Sequence, residues 1–163
     1  TSSHTLEAAQ VLRDKILMMK MNGYKAEPNV ILCGDATGKA TQRTSNKSDY
    51  DIIKMVLREA NITFTDRTPE ANPSIKDRVN VVNTRLKNAQ GEVEMFIHRE
   101  NCPKLKHDLE RVGWKFNADY VLDSGKDKML THSSDGIGYA VHALTPLKTI
   151  RQGNKTKIMQ RVV

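Results

Sequence analysis

The stretch "VILCGDATGKAT", residues 30–41, opens with an apolar run and continues through two glycines, an aspartate and a lysine. The run Val30 to Gly34 is too short for a helix and predicts a buried strand. The glycines and lysine beyond it could form a phosphate cradle, but the nucleotide-binding loop requires G-x-x-x-x-G-K-[ST]. Here Gly34 and Gly38 are one residue too close, Ala40 stands where the hydroxyl should be, and no helix signal comes at once after it. The match to a phosphate loop therefore fails on spacing, on the hydroxyl and on context. Asp35 lies just past the carboxyl end of the predicted strand, where open α/β sheets place their ligands. A carboxylate there suits a hard cation such as Mg²⁺ or Mn²⁺. Gly34 and Gly38 would let the backbone approach a bulky ligand.

Working outward, the pattern alternates. Leu6, Ala9, Leu12, Ile16 and Met19 recur at helical spacing before Gly23. Ser48, with Asp51 three residues on, reads as a capping box opening a helix that buries Ile52, Ile53, Val56 and Ala60. Ile62 to Thr65 reads as a second strand. Asn72 caps a third helix with Pro73 at its first position, and Ile75, Val79, Val82 and Leu86 form its apolar stripe. Val93, Met95 and Ile97 alternate as in a half-buried strand after Gly91. Leu105, Leu109 and Val112 mark a short helix. The last helix begins near Thr131 and buries Ile137, Ala140, Val141 and Leu144. Helices alternating with short strands predict an α/β layered domain. Trp114 and Phe116 read as core, with a base-stacking surface as the alternative.

The 163 residues suit one domain over 1–147, followed by a basic tail over 148–163. That tail carries Lys148, Arg151, Lys155, Lys157 and Arg161 without an acid, and reads as a disordered arm able to touch phosphates. Net charge is +7, mean hydropathy is -0.56, and the sequence pI is about 9.5. This favours an acidic partner, nucleic acid before membrane. Cys33 and Cys102 make no disulfide framework or zinc pattern. No apolar run approaches the ~20 residues of a membrane span, and no signal-peptide pattern opens the chain. An intracellular location is expected.

A second cluster, "THSSDGIGYAVHAL" at residues 131–144, places His132, Asp135 and Tyr139 at i, i+3 and i+7 on one helix face. Asp135 falls in the first turn, where the helix dipole favours a carboxylate. Gly136 and Gly138 each cost roughly 1 kcal/mol against alanine in a helix. Close approach of a neighbouring backbone or a nucleic-acid strand would compensate. Two carboxylates brought together could hold two metal ions, ~3.5–4 Å apart, for phosphodiester hydrolysis. His132 would orient water, assist proton transfer or contact a phosphate. By position, Lys39, Arg43, Lys47 and Arg78 are candidate phosphate contacts.

These residues carry a resemblance. "CGDATGKA" (33–40), "NPSIKDRVNVVNTRL" (72–86), "CPKLKHDLERVGW" (102–114) and above all "THSSDGIGYAV" (131–141) resemble the C-terminal nuclease domain of the large terminase subunit of tailed bacteriophages. The resemblance spans roughly residues 5–145. It implies a ribonuclease H-like mixed sheet flanked by helices, and Mg²⁺- or Mn²⁺-dependent cutting of concatemeric double-stranded DNA. It also implies a viral protein of the host cytoplasm, working with a portal, a small terminase subunit and an ATPase domain. Asp35 matches the family's middle acid, Asp135 its last acid and His132 the preceding histidine. The first acid has no match: Glu7 and Asp14 lie on the opening helix. The ATPase motor is likewise unmatched, so a fragment lacking its first strands is expected. The alternatives are a non-catalytic DNA-binding or assembly module, and another ribonuclease H-like nuclease such as a resolvase.

Overall fold

The computed structural model describes residues 2–22, 30–41, 46–116, 118–123, 125, 127, 129–146, 150–152 and 155–157. The chain mixes helix and strand and divides into two compact units, Thr1–Asn72 and Pro73–Val163.

In the first unit, α1 (Ser2–Met21) packs on α2 (Asp49–Glu59), and β1 (Val30–Leu32) pairs in parallel with β2 (Phe64–Asp66). The strands register Val30 with Phe64 and Leu32 with Asp66. A parallel pair needs a crossover, and α2 supplies it. The expected capping box is present: the Ser48 side chain accepts from Asp51 N, and the Ser48 backbone N–H donates to the Asp51 carboxylate. Ile16, Leu57 and Ile62 form the buried core, flanked by Leu17, Val30, Ile53, Ala60 and Phe64. Among the described residues of α1, Ala9 and Ile16 are buried, while Leu6, Leu12 and Met19 of the expected stripe are exposed. A 3-10 turn, Ala36–Lys39, comes after β1, and among the described residues the next helix starts at Asp49.

In the second unit, α3 (Ile75–Leu86) and α4 (Pro103–Arg111) both pack on α5 (His132–Leu144). Val81, Val82 and Val141 are its buried core, with Leu86, Met95, Leu109 and Ile137 around them. Two expectations for α3 are corrected. Its cap is Ser74, whose hydroxyl accepts from Asp77 N, and not Asn72, whose side chain is used in the first unit. Its buried face is Arg78, Val81 and Val82, so the stripe is turned from the Ile75–Val79–Val82–Leu86 line and carries a charge. Leu144 of α5 is exposed rather than buried.

The alternating Val93–Ile97 segment forms no strand. The N–H groups of Glu94 and Met95 both donate to the Arg85 carbonyl at the end of α3, at 2.9 Å, so the helix end takes the donors a ladder would use. Instead a small antiparallel pair, β3 (Gly113–Trp114) with β4 (Leu122–Asp123), lies later in the chain. Within the tail, expected as a disordered arm, the backbone of β5 (Ile150–Gln152) pairs antiparallel with β6 (Lys155–Lys157). Among the described residues, no helix is long and apolar enough to cross a membrane.

Candidate functional site

Asp35 lies past Cys33 and Gly34, which come after β1, and caps the 3-10 turn. Its Oδ1 accepts from the N–H of Thr37 at 2.7 Å and from the Asn72 side-chain amide at 2.8 Å. The carbonyl of that amide accepts from Ala36 N at 2.7 Å. The first donors of the turn, which have no partner inside it, are thus taken by Asp35 and Asn72. The carboxylate is held in one orientation by both.

Gly34 and Gly38 make room for the buried side chain of Tyr50. A Cβ on Gly34 would lie 2.6 Å from the Tyr50 hydroxyl, and one on Gly38 would lie 2.8 Å from its ring. The hydroxyl donates to the Asp35 carbonyl at 2.7 Å. Beside them, Cys33 is half-buried, and burial pushes its thiol up from the usual value against the opposing charge of Arg67.

The other candidate cluster lies in the second unit, at the start of α5. Thr131 precedes the helix but contributes no side-chain cap. The cap comes from α4: buried Asp108 accepts from the N–H groups of Ser133 and Ser134 at 2.8 and 3.1 Å. A carboxylate on orphan N–H groups at a helix start is stabilising through hydrogen bonds and dipole together. Sequence reading missed Asp108, because its partners begin 25 residues away.

Asp135 and Tyr139 share a face, as their spacing predicts, and both meet Arg78. The Arg78 Nη1 donates to Asp135 Oδ1 at 2.6 Å, and its guanidinium lies 4.1 Å from the Tyr139 ring centroid. Arg78 is only 7% exposed, so its charge requires a partner, and Asp135 supplies it. Its Nε is buried without an acceptor among the described residues. Gly138 makes room: a Cβ there would stand 3.3 Å from the Arg78 Cβ, whereas Gly136 faces open space. The approach expected of a ligand or backbone is therefore made at Gly138 by an arginine side chain. His132, at the first position of α5, is exposed.

The proposed phosphate contacts differ in setting. Arg78 is buried on Asp135. Lys39 pairs with Glu70 at 2.5 Å. The Lys47 ammonium lies 3.2 Å from the Met55 sulfur. Arg43 lies outside the described residues. Asp77 hydrogen-bonds Ser74 in the first turn of α3. Asp66 pairs with Lys54. Burial raises the Asp66 carboxyl, but bonds from Lys54 and from the N–H and hydroxyl of Thr68 outweigh it, leaving it at about 2. Trp114 and Phe116 are exposed, not core.

A hard divalent ion suits Asp35 and Asp135 by donor type. Among the described residues, however, no three His, Cys, Asp or Glu side chains gather as a metal site. Asp135 also commits an oxygen to a guanidinium. Each unit by itself thus offers one carboxylate of interest and no complete ligand set among the described residues. A cavity of about 160 Å³ in the second unit has Arg78, Asp135, Trp114 and Leu122 in its lining. No family model, curated protein or solved structure matches this chain.

Proposed function

We propose that this chain is a divalent-metal-dependent DNA endonuclease of ribonuclease H-like architecture, of the kind found in viral genome-packaging terminases. The observation that carries the reading is Asp35. It stands past the carboxyl end of a parallel strand, and its carboxylate is oriented by Asn72 and Thr37. Ligands of α/β sheets bind at that edge, and metal-binding carboxylates are themselves hydrogen-bonded from outside. The +7 charge supports a nucleic-acid substrate. Asp35 in the first unit and Asp135 in the second would each serve as a ligand to Mg²⁺ or Mn²⁺, which when bound supplies an activated water and neutralises charge on the phosphate. His132, exposed one turn before Asp135, is available to orient that water or contact the phosphate. The partners of this reading are double-stranded DNA, a portal, a small terminase subunit and an ATPase domain, in the cytoplasm of an infected host.

Nicking of supercoiled plasmid with Mn²⁺, Mg²⁺ or EDTA tests it. Asp35→Ala and Asp135→Ala should each abolish cutting. Asn72→Ala should lower it by the ~10- to 100-fold typical of a lost outer partner. Undiminished cutting by both aspartate variants would sink the assignment. A second reading is a non-catalytic DNA-binding or assembly module, favoured by the Arg78–Asp135 pair. It expects DNA binding without cleavage in any metal.

A further inference from the structure

The chain is poor in aromatics, 5% of its residues, yet three lie within residues 114–120. All three stand out from the second unit: Trp114 is 45% exposed, Phe116 90% and Tyr120 51%. Large rings left in water forgo burial free energy, so a cluster of them marks a contact surface.

Two of the three rings are ordered by their own contacts. Trp114 and Tyr120 meet edge to face, with centroids 5.8 Å apart and planes at 86°. The Lys76 ammonium sits 4.2 Å from the Tyr120 ring centroid and donates to its hydroxyl at 2.8 Å. Tyr120 has φ of +54°, in the left-handed region that disfavours a bulky side chain. Its neighbours hold it there, on the turn joining β3 to β4. Strained backbone retained at an exposed ring is a mark of use.

We infer that this hairpin is a stacking platform for the unpaired bases of single-stranded nucleic acid. Every base offers a π-face, so aromatic rings beside a cation bind strands with little sequence preference. The local charges, Lys76 and Lys115 against Asp119 and Asp123, balance. Stacking therefore provides the local contact, while the +7 net charge draws the phosphates. A protein partner would need a wider apolar surface than three rings to form a stable interface. The platform requires no metal, so it stands or falls apart from the nuclease reading.

Trp114 is the single tryptophan of the chain, so its fluorescence reports on this surface alone. The full chain, in EDTA, is titrated with a dye-free oligothymidylate of about 12 nucleotides and with a mixed-sequence duplex. Anisotropy of dye-labelled copies gives binding independently. The single strand should quench Trp114 on binding. Phe116→Ala and Tyr120→Ala should each weaken it about five-fold or more, with circular dichroism unchanged. Absence of binding, or binding without quenching, would overturn the platform. So would a Phe116→Ala variant within about two-fold of the parent, or a duplex that binds and quenches equally.

Discussion

Tyr50 governs the glycines of residues 30–41. Its hydroxyl and ring lie where the Cβ atoms of Gly34 and Gly38 would be. Gly34→Ala should therefore destabilise the fold by the ~1–3 kcal/mol of an overpacked site. The nearest clash is with the hydroxyl, the next atom being 3.6 Å away. In a Tyr50→Phe background the same substitution should then cost less, and urea unfolding of the four combinations measures the difference. Equal costs in both backgrounds would remove Tyr50 as the reason for the glycine. Asp108 makes a comparable point. Buried, it caps two N–H groups of another helix. Asp108→Ala should cost about 2 kcal/mol, the range of a lost cap and of charge-assisted hydrogen bonds. A loss under about 0.5 kcal/mol in the same unfolding measurement would show that the cap is dispensable.

Between elements, the packing of β2 with α2 is reinforced by Asp66 and Lys54. The folded Asp66 carboxyl titrates at about 2 against an ordinary 3.8. A depressed carboxyl contributes stability that is present above the ordinary value and lost as pH falls toward the folded one. The loss therefore belongs to the window from about pH 4 down to about pH 2. Its side chain is 37% exposed, so water and salt reduce the effect to a modest one. Lys54→Met should flatten the fall in Tm across that window, which thermal melts at about pH 5 and about pH 2.5 compare. Helix starts obey a simpler rule. Ser48 with Asp51 was legible as a cap, and Ser74 with Asp77 repeats the same spacing. Asn72 drew the assignment because Pro73 comes next. The helix begins later, and the Asn72 side chain reaches Asp35 instead.

At the scale of the molecule, the +7 charge should make the proposed DNA binding salt-dependent. The logarithm of affinity should fall with the logarithm of salt by ~0.9 per duplex phosphate neutralised. A flat dependence would argue that the charge only keeps the chain in solution. The sequence by itself determined the five α-helices of the described residues, the capping box of Ser48 and the strand after Pro28, because these depend on neighbours within a turn or on burial of a short apolar run. It also placed Asp135 and Tyr139 on one face. Only tertiary structure decided the rest. Alternation in Val93–Ile97 states which side chains could share a face, but a strand also needs an edge to pair with, and the end of α3 took its donors. The site pairings join residues 37 and 57 apart, Asp35 with Asn72 and Arg78 with Asp135. Aromatic type likewise did not reveal that Trp114, Phe116 and Tyr120 face water. Local periodicity carries the energetics of a single turn. Which distant polar groups meet, and which rings stay uncovered, depends on how the elements pack.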